Sequence, residues 1–212
     1  MIQLFLRMEQ RKSLPPFEGR EEANLILGTD LLEHPEKAEG ANNIVIVGGG
    51  VVGCETAHWL ANEYGKNVTV LEMLPHFMMG VCTANRGHLL HYLEKSGVRL
   101  YNCTKVKALA KDGVYVEQNQ SQTVPDPYNT WQPLLPPNIP NPMEKAIKEE
   151  IVEKKIPADL IVLAMGGKAD ETFFFEAGEE HLAKEIYNIG DSSRAGRVLE
   201  AVRGAYHLAV RI

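Results

Sequence analysis

The chain has 212 residues, 44% of them hydrophobic, which is enough to bury one large core or two modest ones. Its net charge of −6, with no basic patch, argues against nucleic acid or an anionic membrane as a main partner. No apolar stretch approaches the roughly 18 to 20 residues of a membrane span, and the start lacks the features of a signal peptide, which predicts a cytoplasmic protein.

Residues 1–42 show no strong periodicity, and prolines and glycines such as Pro15, Pro16, Gly28 and Gly40 interrupt them. Such interruptions are typical of loops and turns. We interpret these residues as a connecting arm that leads from another domain into the first strand.

A β-branched strand, Ile44–Val47, runs directly into the spacing G-x-G-x-x-G, and a helical pattern through Ala57 and Leu60 follows. Glycines at this spacing allow a tight turn, close approach of the backbone to a pyrophosphate, and close packing of the helix on the strand. The free N–H groups and the dipole of a helix start favour negative charge. The residues predicted to bind a dinucleotide here are Gly48, Gly50, Val51, Val52 and Gly53.

The next strand, Asn67–Leu71, ends at Glu72, nineteen residues after Gly53. At this place a carboxylate accepts a hydrogen bond from the ribose 2′-hydroxyl of NAD and repels the 2′-phosphate of NADP. Met73 follows, with no Arg up to His76, so we predict that Glu72 and Met73 favour NADH over NADPH. A strand–turn–helix with an ordinary exposed Glu is the alternative.

A helix through His88–Lys95 is predicted to end at Gly97, and Val98–Tyr101 resumes a strand, which completes a β-α-β-α-β unit. Short runs at 105–110 and 114–117 flank Asp112-Gly113, a hairpin signal. We therefore expect antiparallel strands after the parallel ones.

Seven of the twelve prolines fall between Pro125 and Pro142, which predicts an extended insertion over residues 118–155. Within it, Asn141 to Glu144 has the signature of a helix start, so we expect a charged, solvated helix after it. Tyr128 and Trp131 are candidates to anchor the insertion, either on a neighbouring domain or on the surface of this chain.

The chain returns to strands at 159–164, followed by Gly166, and at 185–189, followed by Gly190 and Asp191. A helix is predicted over Gly196–Arg211, because its apolar residues fall on one face.

The cysteines, Cys54, Cys82 and Cys103, are too far apart for a C-x-x-C motif, so neither a redox-active dithiol nor an iron–sulfur cluster is predicted. The nearest pair of histidines, His88 and His91, has no third ligand in the pattern. We assign no metal site.

Three ordered motifs resemble the two-dinucleotide-binding-domain flavoprotein reductases. The resemblance is strongest to the C-terminal part of the 2-enoate and 2,4-dienoyl-CoA reductases related to Old Yellow Enzyme. The motifs are Ile44–Glu55 for NAD(H), Leu163–Gly166 for the return strand and Tyr187–Asp191 for FAD. The insertion around Val124–Tyr128 is also similar to the enoate reductases.

The resemblance implies an α/β fold: a Rossmann-type dinucleotide-binding domain with a parallel sheet, an antiparallel β-meander and a remnant of a FAD-binding domain. The implied domains are an arm from a missing FAD half-domain (1–42), the NAD(H) domain with its Pro-rich insertion (43–164), and the C-terminal part of the FAD domain (165–212).

The resemblance also implies that Glu55 lies near the nicotinamide end of the site. It implies that Gly166, Gly190 and Asp191 belong to the flavin side, where Asp191 forms a hydrogen bond with the ribityl chain of FAD. Simpler roles stay open. Glu55 in a first helical turn complements the helix dipole, and Asp191 is a preferred residue to cap a helix.

In the family, electrons pass from NADH through FAD, a 4Fe-4S cluster and FMN to an activated alkene. The FMN-binding barrel alone takes roughly 250 residues, so the resemblance implies a fragment that is inactive by itself. Its expected partners are NADH and the missing barrel of the same polypeptide, and a homo-oligomer stays open. No catalytic residue is assigned.

Besides a structural domain without redox activity, two other functions are compatible with the same motifs. One is a small NADH-dependent flavin or ferredoxin reductase, although the first glycine fingerprint for FAD is missing. The other is an NAD(H)-binding regulatory module without catalysis, because the fold alone does not determine function.

Overall fold

The computed structural model describes residues 3–6, 11–12, 15–131, 133, 135, 139, 141–196 and 198–212. The strands in this part of the chain are β1 (Gln3–Leu6), β2 (Arg11–Lys12), β3 (Leu25–Leu27), β4 (Asn43–Val47), β5 (Asn67–Leu71), β6 (Arg99–Tyr101), β7 (Thr104–Ala110), β8 (Gly113–Asn119), β9 (Ile151–Pro157), β10 (Leu160–Leu163), β11 (Gly167–Lys168) and β12 (Glu185–Asn188). The helices are α1 (Gly28–Glu33), α2 (Val51–Tyr64), α3 (Thr83–Lys95), α4 (Thr172–Glu179) and α5 (Val198–Ala209).

The chain divides into two compact units, residues 15–165 and residues 1–14 together with 166–212. The larger unit is built on a five-stranded parallel sheet in the order β3-β10-β4-β5-β6. Its central strands β4 and β10 are almost continuously apolar, as expected for strands that are covered on both faces. The predicted α/β fold with a parallel and an antiparallel sheet is confirmed.

Two clusters of buried side chains form the core of the larger unit. One cluster packs α1, α2 and α3 on one face of the parallel sheet, with Leu31, Leu60 and Leu90 fully buried. The other cluster packs the antiparallel sheet β7-β8-β9 on the opposite face, around Val114 and Ile161. The carboxyl ends of the parallel strands are thereby held at one edge between two layers.

The predicted helix after Asn141 is wrong. Asn141 instead closes a local turn, because its side-chain oxygen accepts from the Met143 N–H at 3.0 Å. The chain then runs without regular secondary structure into β9, which pairs with β8 over seven residues and buries Ile156. Asn119 fixes this course by accepting from Glu150 N at 3.0 Å and donating to Lys148 O at 2.7 Å. The insertion therefore lies between β8 and β9, and its prolines at 136, 137 and 140 lie outside the described residues.

Part of the predicted connecting arm belongs to the sheet. The strand β3 pairs in parallel with β10, and the helix α1 follows it directly. The strand β3 has only three residues, with Ile26 at its centre, which is too few to show a hydrophobic period in the sequence. Residues 1–2, 7–10 and 13–14 of the arm lie outside the described part of the chain.

The described residues of the smaller unit form two pairs of short strands and two α-helices. The strand β1 pairs in parallel with β12, and β2 pairs antiparallel with β11. The predicted strand before Gly190 and the last helix are both present, as β12 and α5. Among the described residues of the whole chain, no helix is both long and apolar enough to cross a membrane.

Asp159 ties three strands together where the parallel sheet begins. Its carboxylate accepts from the N–H groups of Asn42 and Asn43, at 3.0 and 2.7 Å, and its main-chain oxygen accepts from the side chain of Asn24 at 2.8 Å. The backbone N–H donors of Asn43 and Asn42 lower the pKa of Asp159.

A carboxylate with a lowered pKa stabilises the folded state above its unfolded pKa of about 3.9, and this stabilisation is lost as the pH falls through the folded value. We therefore expect Asp159→Asn to lower the Tm near neutral pH, and the difference from the parent protein to shrink by about pH 3. Thermal unfolding at both pH values measures this. Glu149→Gln, at an exposed carboxylate, is the control. The role of Asp159 would be contradicted if the Tm difference between Asp159→Asn and the parent protein were the same at acidic as at neutral pH.

Candidate nucleotide-binding site

A cleft of about 270 Å³ opens at the carboxyl ends of β4 and β5 in the larger unit. In open parallel sheets, ligands bind at this edge. Three predicted site residues line the cleft, Gly48, Glu72 and Met73. Sequence reasoning missed the other residues that line it: Phe17, Val47, Leu71, Thr104, Lys105, Val106 and Met165.

Two glycines of the turn are required by the fold itself. Gly48 has φ +114°, and a Cβ there would lie 2.4 Å from the main-chain oxygen of Ala164. A Cβ on Gly53 would lie 2.0 Å from the main-chain oxygen of Gly48. These contacts bring α2 directly against the end of β4, as the spacing predicts.

Gly50 differs from its neighbours, because a Cβ at this residue would meet nothing within 4 Å. Its backbone is extended, with φ −71°, and it is the N-cap of the fourteen-residue helix α2 without a side-chain cap. The first N–H groups of a helix have no partners within the helix and favour an anion. The open space at Gly50 therefore fits a phosphate group that approaches the start of α2.

The Glu72 carboxylate is fixed beside this turn. One oxygen accepts from Gly49 N at 2.8 Å and the other accepts from Leu74 N at 2.8 Å. The main chain of Glu72 forms two more hydrogen bonds, each of 2.8 Å: its N–H donates to Tyr101 O, and its carbonyl oxygen accepts from Thr104 N. Each carboxylate oxygen keeps a further lone pair, so Glu72 is positioned to accept from a ribose hydroxyl as well.

Lys105 brings a positive charge to the same cleft from β7. The sequence prediction for NADH depended on the absence of a cation directly after Glu72. No local spacing indicates Lys105, because it reaches the cleft only when the antiparallel sheet packs on the parallel one. Glu72 and Lys105 therefore oppose each other in their effect on a 2′-phosphate.

The other predicted residues of this unit lie on α2. Val51 and Val52 form its first turn, and Glu55 is exposed one turn further along. None of the three lines the cleft.

Gly166, Gly190 and Asp191 belong to the smaller unit. Gly190 has φ +75° and lines a separate cleft of about 720 Å³ between β12 and α5. Asp191 accepts from Gly196 N at 3.2 Å, shortly before α5 begins. Gly196 precedes the first residue of α5, so this bond joins Asp191 to the loop before the helix.

A model of the pyridine nucleotide-disulphide oxidoreductase family matches residues 10–194. The chain belongs to this family. Its members are oxidoreductases that bind FAD and NAD(P)H, which agrees with the glycine turn, the open helix start and the carboxylate described above.

Three known proteins illustrate the similarity. Bilirubin reductase of Mediterraneibacter gnavus is 27% identical over 194 residues, which are 91% of this chain and 25% of that protein. Cinnamate reductase of Clostridium sporogenes is 22% identical over 180 residues, 84% of this chain and 22% of that protein. The solved structure of 2-naphthoyl-CoA reductase with 2-naphthoyl-CoA superposes with a TM-score of 0.74 at 24% identity, and covers 99% of this chain and 27% of that one. The chain thus spans about a quarter of the length of these relatives.

All three cysteines are free thiols, so they do not form a redox-active disulphide in this structure. Cys54 is fully buried in α2, and burial, with the charge of Glu72 next, raises its pKa to about 12. Burial also raises the pKa of Cys103, while Cys82 is exposed. In the described part of the chain, no group of three His, Cys, Asp or Glu side chains is arranged to hold a metal ion.

The two glycines of the turn give a matched pair of variants. Gly53→Ala is expected to destabilise the fold by about 1 to 3 kcal/mol, because its Cβ overlaps the main chain of Gly48. Gly50→Ala is expected to shift the Tm by only a few degrees, yet to weaken nucleotide binding about tenfold or more by filling the space for the phosphate. Thermal unfolding and calorimetric titration separate the two effects, and equal binding by Gly50→Ala and the parent protein would contradict the phosphate site.

The exposure of the thiols predicts their order of reaction. An aromatic disulphide reagent near pH 8 is expected to modify Cys82 first and Cys54 only when the protein unfolds, because only thiolates react and Cys54 is buried and protonated. Mass spectrometry of timed samples identifies the modified residue. Cys82→Ser should remove the fast phase, and rapid labelling of Cys54 in the folded protein would contradict its burial.

Proposed function

We propose that the cleft binds NADH and that the chain is the NAD(H)-binding part of a larger flavin-dependent reductase. The observation that carries this proposal is the carboxylate of Glu72, which is fixed by two backbone N–H groups beside an open helix start. A positioned carboxylate next to a free anion site matches the ribose and the pyrophosphate of a dinucleotide.

Each part of the site has a separate task in this proposal. The start of α2 binds the pyrophosphate, with Gly50 leaving room for it, and Glu72 accepts from the adenosine ribose. Met73, 65% exposed, borders the same cleft and offers an apolar surface to the adenosine. Glu55 on α2 orients the nicotinamide end. The chain thus supplies position and orientation, which is the protein's usual contribution to hydride transfer.

In the intact protein, a bound flavin would supply the acceptor for the hydride of the nicotinamide. Gly190 and Asp191 are the residues of this chain that would hold part of FAD, with Gly166 at the loop after the return strand. We further propose an activated alkene as the final acceptor, supported by the similarity to a cinnamate reductase and to a 2-naphthoyl-CoA reductase. FMN, a 4Fe-4S cluster and the barrel that carries them would belong to parts of the polypeptide outside this chain.

The choice between NADH and NADPH depends on two opposite charges in the cleft. Glu72 disfavours a 2′-phosphate by repulsion and by its need for a hydroxyl donor, whereas Lys105 attracts it. Glu72 is partly buried and fixed by backbone hydrogen bonds, while Lys105 is exposed and more strongly screened by water. We therefore propose that Glu72 has the larger effect and that NADH is preferred.

Calorimetric titration of the purified chain with NADH and with NADPH tests the proposal. We expect NADH to bind at least about tenfold more tightly, since placing like charges together costs several kcal/mol at a desolvated contact. Glu72→Gln should reduce the preference for NADH by improving NADPH binding, and Lys105→Gln should increase this preference.

The Gln variant of Glu72 can accept only one of the two N–H groups, so its Tm is measured as a control for a loosened loop. An unchanged NADH-to-NADPH ratio in both variants would exclude this cleft as the ribose site. If the parent chain binds neither nucleotide, the proposed function fails.

A further inference from the structure

Two buried side chains bridge the loop that follows Glu72 and the insertion between β8 and β9. Arg86 of α3 is 2% exposed, and its Nε and Nη1 donate to Phe77 O and Asn129 O, each at 2.9 Å. Asn102 is 5% exposed, and its Nδ2 donates to Pro75 O at 2.7 Å and to Pro125 O at 2.9 Å. Each side chain thus holds one carbonyl from each segment.

His76, between the two bridged residues of the loop, also faces the insertion. Its Nε2 lies 3.8 Å from the Glu144 carboxylate. A further close contact lies beside Arg86, where a Cβ on Gly87 would be 3.3 Å from Thr130 O. Three consecutive loop residues therefore meet the insertion, and α3 packs closely on the insertion at the same place.

The burial of Arg86 makes this bridge costly to disturb. A guanidinium that leaves water loses hydration, which hydrogen bonds must replace. Burial accordingly lowers the pKa of Arg86. The planar fork of Arg reaches two carbonyls at once, whereas the single ammonium of Lys cannot reproduce its geometry.

The bridged loop forms one hydrogen-bonded unit with the glycine turn. The Phe77 side chain is fully buried directly under Gly49, where an added Cβ would lie 2.4 Å from the ring. The Met78 N–H donates to Gly49 O at 2.8 Å, while the Glu72 carboxylate holds Gly49 N. A shift of Phe77 would therefore move both the turn and the carboxylate.

We infer that Arg86 and Asn102 are positioning residues for dinucleotide binding, through which the insertion braces the loop 72–78 against the glycine turn. This inference rests on the proposed function of the cleft. The insertion then has a task at the nucleotide site, although none of its described residues lines the cleft.

The brace can be tested first without any nucleotide. Hydrogen exchange of the Gly49, Leu74 and Met78 amides is measured in the full chain, in the parent protein and in Arg86→Met and Asn102→Leu. We expect these amides to exchange about tenfold or more faster in both variants, because loosening the loop frees the donors to Glu72 and Gly49. The exchange rates of these amides in Arg86→Lys should lie between those in Arg86→Met and those in the parent protein. Arg86→Lys is used instead of Arg86→Met if the latter does not fold.

Tyr128→Phe is the matched control. The Tyr128 hydroxyl also joins the insertion to the sheet, by donating to Val98 O at 2.6 Å and accepting from Leu100 N at 3.2 Å, and neither hydrogen bond involves the loop 72–78. We expect this variant to lower the Tm while the three amides exchange as in the parent protein. Exchange that is unchanged in Arg86→Met and Asn102→Leu, or equally fast in Tyr128→Phe, would overturn the brace.

Titration with NADH then tests the consequence for binding. In folded Arg86→Met and Asn102→Leu, the Kd for NADH is expected to rise about tenfold, with a change within about twofold in Tyr128→Phe. Altered exchange with an unchanged Kd would overturn the positioning role. If the variants exchange faster but the parent protein binds neither NADH nor NADPH, the proposed function is refuted, and the positioning role is refuted with it. The brace itself would then stand only as a structural contact.

Discussion

The contact of α2 with the end of β4 is the constraint on which the site depends. A helix can start this close to a strand only when no Cβ separates them, and the main-chain oxygen of Gly48 fills the space that any side chain at residue 53 would need. This contact directs the start of α2 toward the carboxyl edge of the sheet. The same edge receives Glu72 from the neighbouring strand, so the glycine turn before α2 and the carboxylate lie side by side.

Glu72 has a structural task in addition to the one expected from its position. Its two oxygens satisfy the N–H groups of Gly49 and Leu74, which links the glycine turn to the loop after β5. A ligand hydroxyl would therefore meet a carboxylate that is already oriented, at little further cost in conformational entropy. The same arrangement means that a substitution of Glu72 changes both the shape and the charge of the cleft.

The two units differ in how well they bury their apolar residues. The larger unit has two packed clusters, whereas α5 of the smaller unit has no buried residue and leaves Val198 80% exposed. A helix gains most of its stability from packing its apolar face rather than from its propensity. The smaller unit therefore gains less stability from buried apolar surface than the larger unit does.

The sequence by itself determined the elements whose cause is local. The β-branched run before Gly48, the glycine spacing and the apolar period of α2 act within about thirty residues, so they predicted the strand, the turn, the helix and the place of Glu72. Only the tertiary structure decided the rest. The helix signature at Asn141 is not followed by a helix, because the chain continues into β9, which pairs with β8. Residues of β3 form a strand because they pair with the edge of β10. Lys105 reaches the cleft, and Arg86 joins the insertion to the loop 72–78, through contacts between segments far apart in the chain, which no local pattern predicts.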